Sequence, residues 1–94
     1  MNIAECTEVR SGINFIEAVG ELDNGDYFYA RFRQGDLIVR INDEYSDKYD
    51  DDKYIDEEEA ASEYKLSLNT LRTHEFRREY SSIEKAIEKE FNLN

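Results

Sequence analysis

The chain has no proline and no tryptophan, and it has one cysteine (Cys6) and one histidine (His74). One cysteine excludes an intrachain disulfide, a redox dithiol and a thiolate metal cage. One histidine excludes a multi-histidine metal set, and with Cys6 so remote in sequence a Cys–His nucleophile pair has no basis. The four glycines are scattered singly, so there is no glycine-rich phosphate loop. No apolar run reaches signal or membrane-spanning length, and the first twelve residues carry two glutamates and a lone Arg10. The sequence therefore reads as cytoplasmic, with no membrane partner.

Positive charge is also scarce. Twelve Lys and Arg face 23 Asp and Glu, for a net charge of −11 on 94 residues and a sequence pI near 4.4. Self-repulsion at that density opposes compaction, which a binding role would justify. It argues against direct nucleic-acid binding and points to a cationic protein surface as partner. Hydrophobic residues are still 39 % of the chain, enough for one core and one domain spanning 1–94.

The charge is unevenly placed: residues 1–42 carry −3, residues 43–63 carry −9 and residues 64–94 carry +1. The first segment is punctuated by Ser11-Gly12, Asn24-Gly25 and Gln34-Gly35-Asp36, and predicts a β-meander with strands near 3–10, 14–22, 27–33 and 37–42. In the third strand Phe28, Ala30 and Phe32 alternate with Tyr27, Tyr29, Arg31 and Arg33; in the fourth Leu37, Val39 and Ile41 repeat the pattern. Residues 13–22 stay open between strand and short helix, because Phe15, Ile16, Val19 and Leu22 also fit a helical stripe. Asn24-Gly25 favours the strand.

Residues 43–56 read as an acidic loop and 57–91 as helical. Asp56 followed by Glu57, Glu58 and Glu59 opens a helix of about 57–65, its acids aligned with the helix dipole. Phe76, Tyr80, Ile83, Ile87 and Phe91 fall on one side of a helix over about 73–91, capped by Thr73 or Thr70 and interrupted at Ser81 and Ser82. Leu66, Leu68 and Leu71 close the core edge from a connecting segment. The expected fold class is α+β: a small two-layer domain in which an antiparallel three- or four-stranded meander is covered by C-terminal helices.

No motif for chemistry survives inspection. A calcium loop starting at Asp50 places Ile55 where glycine is needed and Ala61 where a bidentate glutamate is needed. Carboxylates are abundant, but nothing sets two of them apart in a cleft as acid–base catalysis requires, and Glu17 is better explained by ion pairing with Arg31 or Arg40. No enzyme, cofactor or metal is expected. Tyr27, Tyr29, Arg31, Arg33 and Arg40 on one face resemble a platform for single-stranded nucleic acid, but the overall charge weighs against it; the chain's own acidic segment, or a second copy in a homodimer, suits that face better.

The acidic run itself leads to the functional expectation. Duplex DNA presents one charge per roughly 1.7 Å of axis, and a half-charged run of protein offers carboxylates at comparable density. Asp43, Glu44, Asp47, Asp50, Asp51, Asp52, Asp56, Glu57, Glu58, Glu59 and Glu63 would occupy the positive channel of a basic nucleic-acid-binding protein or nuclease complex, with Tyr45, Tyr49 and Tyr54 supporting the run or anchoring the contact. In size, charge and lack of catalytic motifs the chain resembles the small acidic proteins by which phages and mobile elements block defence nucleases. That resemblance implies a DNA mimic of anti-restriction or anti-CRISPR type, working in the host cytoplasm if phage-encoded, and it transfers no site residues. The alternative is a generic acidic interaction module for a basic partner, without mimicry.

Overall fold

The computed structural model describes residues 2–42 and 60–91. Its strands are β1 (Ile3–Gly12), β2 (Phe15–Leu22), β3 (Tyr27–Arg33), β4 (Asp36–Asn42) and β5 (Ser62–Ser67), followed by helices α1 (Thr73–Tyr80) and α2 (Ile83–Phe91). All five strands form one antiparallel sheet in sequence order, a meander one strand longer than expected. The segment 13–22 is a strand.

The hairpins follow from local chemistry. Between β2 and β3, Gly25 sits at φ +92° and Asn24 Oδ1 accepts the Asp26 amide at 2.9 Å. Between β3 and β4 the two linking residues, Gln34 and Gly35, both have positive φ (49° and 88°), the conformation whose twist matches a two-residue hairpin.

Alternation then assigns the faces. Ile16, Ala18, Leu22, Phe28, Ala30, Phe32, Leu37, Val39 and Ile41 point to one side, where they meet Phe76, Tyr80, Ile83, Ala86 and Ile87 of the helices in a single core. Phe76 is its centre, fully buried with ring centroids 4.4 Å from Phe32 and 5.1 Å from Tyr80. Gly20 leaves room beside this core for the Phe28 ring and the Glu5 carbonyl, which a Cβ would strike.

The expectations for residues 57–66 need correction. Residues 62–67 form a strand, so the helix of 57–65 does not extend through them; residues 57–59 lie outside those described. Tyr64 and Leu66 pair with Val39 and Leu37 on the core face, so the period is two there and not 3.6. The C-terminal helical stretch is interrupted where expected: Ser81 takes φ +66° and its amide bonds to the Arg77 carbonyl at 2.9 Å, and Ser82 Oγ accepts the Lys85 amide at 3.2 Å to open α2.

The cap of α1 is neither threonine. The Glu75 carboxylate accepts the Arg72 amide at 3.2 Å, Thr70 donates to Glu79 at 3.1 Å, and Thr73 instead donates its hydroxyl to the Gly12 carbonyl and its amide to Ile13 at 2.7 Å. This ties the helix start to the β1–β2 turn. Leu71, expected in the core edge, is 60 % exposed.

Truncation of Phe76 to alanine should cost about 3–5 kcal/mol, a large share of a small domain's stability. Ile13→Ala, at a position 74 % exposed, should stay within about 0.5 kcal/mol. Urea unfolding of the two variants measures both, and equal midpoints would overturn this core assignment.

Candidate functional site

Of the residues expected to contact a partner, Asp43 to Glu59 lie outside those described, including Tyr45, Tyr49 and Tyr54; Glu63 is described. The anchors of the acidic run are nevertheless placed. The chain leaves β4 at Asn42, which pairs with Tyr27, and returns at Ala60; the Ala61 amide then bonds to the Ile41 carbonyl at 2.8 Å and Ser62 pairs with Ile41. Seventeen residues holding ten acids and two lysines thus join two adjacent, hydrogen-bonded strands. Both ends of the run are held at one end of the sheet.

Glu63 lies on β5 opposite Arg40 and on the sheet face away from the helices, with 3.8 Å between its carboxylate and the Arg40 Nε. Arg40 is buried at 7 % exposure. Glu63 therefore faces a cation of its own chain. On the same face Val19, Tyr27 and Tyr29 form a second buried cluster against which Ala60 packs.

Tyr27, Tyr29, Arg31, Arg33 and Arg40 do share a face, as the register requires. Tyr27 and Tyr29 are each 1 % exposed, however, so neither ring is open to stack on a base, and the single-strand platform is lost. The Tyr29 hydroxyl donates to Glu17 Oε2 at 2.6 Å, while Glu17 Oε1 pairs with Arg10 Nε at 2.9 Å. Glu17 was expected to pair with Arg31 or Arg40; its cation is Arg10.

That substitution of partners has a local cause. Counting by twos from Cys6 and Glu8 would put Arg10 on the helix side, but a register shift between Glu8 and Arg10 swings it to the far face, opposite Glu17. The consequence is a cavity of about 450 Å³ lined by Arg10, Asn14, Phe15, Glu17, Tyr29, Arg31, Arg33 and Gln34. Sequence reasoning grouped Arg31 with Arg33 and missed Arg10. A bulge leaves no clear mark in a strand of mixed polarity, and that mark was the one signal available.

Elsewhere the geometry is structural. Arg77 forms a 2.9 Å bridge to Glu8 that links α1 to β1. Cys6 is half-buried on the helix side, and burial above all, with Glu84, Glu8 and Glu88 nearby, pushes its thiol from 9.0 up to about 12. A thiol so held does not serve as a nucleophile near neutral pH. Tyr80 is raised by burial first, then by donating to Glu90 at 2.6 Å. Among the described residues no three His, Cys, Asp or Glu gather as a metal site, and no helix is long and apolar enough to cross a membrane.

The sequence matches no protein-family model, and no curated protein or solved structure matches it.

Both raised groups make one prediction. A folded pKa above the unfolded one means the unfolded chain releases its proton first, so the stabilisation is complete below the unfolded value and is lost as pH rises. For Cys6 the window runs from about pH 9 to about 12. Urea midpoints should fall with alkalinity across it, and Cys6→Ala should flatten that fall; an unchanged slope in the variant would contradict the assignment.

Proposed function

We propose that the protein is a non-enzymatic, cytoplasmic inhibitor that acts as an acidic DNA mimic, occupying the nucleic-acid-binding surface of a basic defence protein of the restriction or CRISPR class. The observation that carries this reading is the tethering of the acidic run: ten acids in seventeen residues, both ends held at one end of a packed sheet. Fixed ends limit the conformations the run must give up on binding, which lowers the ordering cost relative to a free tail of the same composition.

Charge density supports the same reading. Lys and Arg rows that grip duplex DNA meet one negative charge per roughly 1.7 Å and release counterions on binding. Ten acids in seventeen residues give the run a carboxylate density of the same order along the chain, and complementary potential speeds encounter and sets orientation. Inhibition is then stoichiometric occupancy, with no turnover. The +1 balance of residues 64–94 and the −3 of residues 1–42 leave the rest of the chain close to neutral, as a scaffold needs to be.

Pull-down with the pure protein from host lysate should retain a basic nucleic-acid-binding protein, and excess duplex DNA at low salt should release it. Retention that DNA does not disturb would replace mimicry with a generic acidic interaction module. Replacing Asp50, Asp51 and Asp52 together by lysine should abolish the retention while leaving the circular dichroism and urea midpoint intact or improved, because like-charge repulsion is relieved.

A further inference from the structure

We propose that the sheet carries a binding site for a small oxyanion, a carboxylate or phosphate group held by Arg31 and Arg33 in the cavity at the end of the sheet that carries the β1–β2 and β3–β4 turns. The site is independent of the acidic run and of the role given to it above. Its cavity of about 450 Å³ falls within the range of small-molecule sites.

Arg31 lies directly opposite Glu17 across the β2–β3 ladder, the position of a cross-strand ion pair. Both oxygens of Glu17 are already engaged, Oε1 by Arg10 Nε at 2.9 Å and Oε2 by the Tyr29 hydroxyl at 2.6 Å. Arg31 Nε is buried with no hydrogen-bond partner. Nε itself is closed to solvent, so an oxyanion meets Arg31 through the part of the guanidinium that lines the cavity; that guanidinium forms no ion pair with a described carboxylate, and its planar fork suits two oxygens at once.

The rest of the lining fits the same ligand. Among the described residues Glu17 is the cavity's one carboxylate and Arg10 offsets it, so the charges of Arg31 and Arg33 are the excess there. Asn14 and Gln34 bring carboxamide donors from the two turns at this end, and Phe15 supplies an apolar wall. Asp36, across the hairpin from Arg33, accepts the Ser67 hydroxyl at 3.1 Å.

A net charge of −11 repels anions at long range, so position matters. The anchors of the acidic run lie at the Asn42 end of β4, whereas Arg33 pairs with Asp36 at the other end. At ~3.3 Å per residue Asn42 lies about 20 Å along β4 from Asp36, opposite Arg33, and about 13 Å from Ile38, opposite Arg31, in both cases beyond the screening length of about 8 Å at physiological ionic strength.

The test is a titration of the full-length, ¹⁵N-labelled protein with inorganic phosphate and separately with acetate, each against sodium chloride at matched ionic strength, following the Arg31 Nε–Hε resonance. Saturable shifts with Kd of about 1–10 mM are expected, the range open to a few charge-assisted hydrogen bonds. Saturation by phosphate alone assigns a phosphate ligand, by acetate alone a carboxylate, and by both the shared oxyanion chemistry. Arg33→Gln, at an exposed position that does not endanger folding, should weaken binding about tenfold, and Arg31→Lys, which keeps the charge and loses the fork, should weaken it also. Shifts that merely track sodium chloride, or an affinity unchanged in Arg33→Gln, would overturn the site.

Discussion

The antiparallel ladder between β4 and β5 closes a connection of seventeen residues that carries ten acids, and it does so against both chain entropy and like-charge repulsion. Closing a flexible loop of that length costs about 2.5 kcal/mol beyond a constant term, before any repulsion is counted. What offsets it is the apolar side of the ladder. Val39 and Leu37 are fully buried opposite Tyr64 and Leu66, and the Tyr64 ring lies 5.9 Å from Phe91 of α2. The last helix therefore helps to hold the edge strand that holds the acidic run, and the core around Phe76 supports both.

The sheet is asymmetric in two directions. Across its thickness, one face is a hydrocarbon core under the helices and the other mixes buried tyrosines with ion pairs. Along its strands, one end anchors the negative run and the other gathers Arg10, Arg31 and Arg33. A protein with a strongly negative total thus keeps a local excess of positive charge far from its acidic anchors. Net charge describes the long-range field; it does not describe each cavity.

The four-strand meander was legible because its hairpins are marked by residues that tolerate positive φ, and because Phe28, Ala30 and Phe32 repeat at a period of two. The helix face from Phe76 to Phe91 was legible for the same kind of reason, as was the interruption at Ser81 and Ser82. β5 was not. It is an edge strand whose inward residues are Ser62, Tyr64 and Leu66, two apolar positions preceded by an acid-rich stretch that reads as a helix start. Pairing with β4 decided the matter, and pairing is a tertiary fact that local propensity does not contain. The arginine cavity was hidden by the bulge before Arg10, which reverses the face of one side chain without altering composition. Most of the acidic residues named from sequence lie between Asn42 and Ala60, where the described structure supplies their anchors.

The role proposed for the acidic connection is to take the place of nucleic acid on a basic partner. Amide hydrogen exchange on that partner, recorded once with this protein bound and once with duplex DNA bound, tests it most directly. Protection of the same segments in both complexes is the predicted result. Two separate sets of protected segments would contradict it.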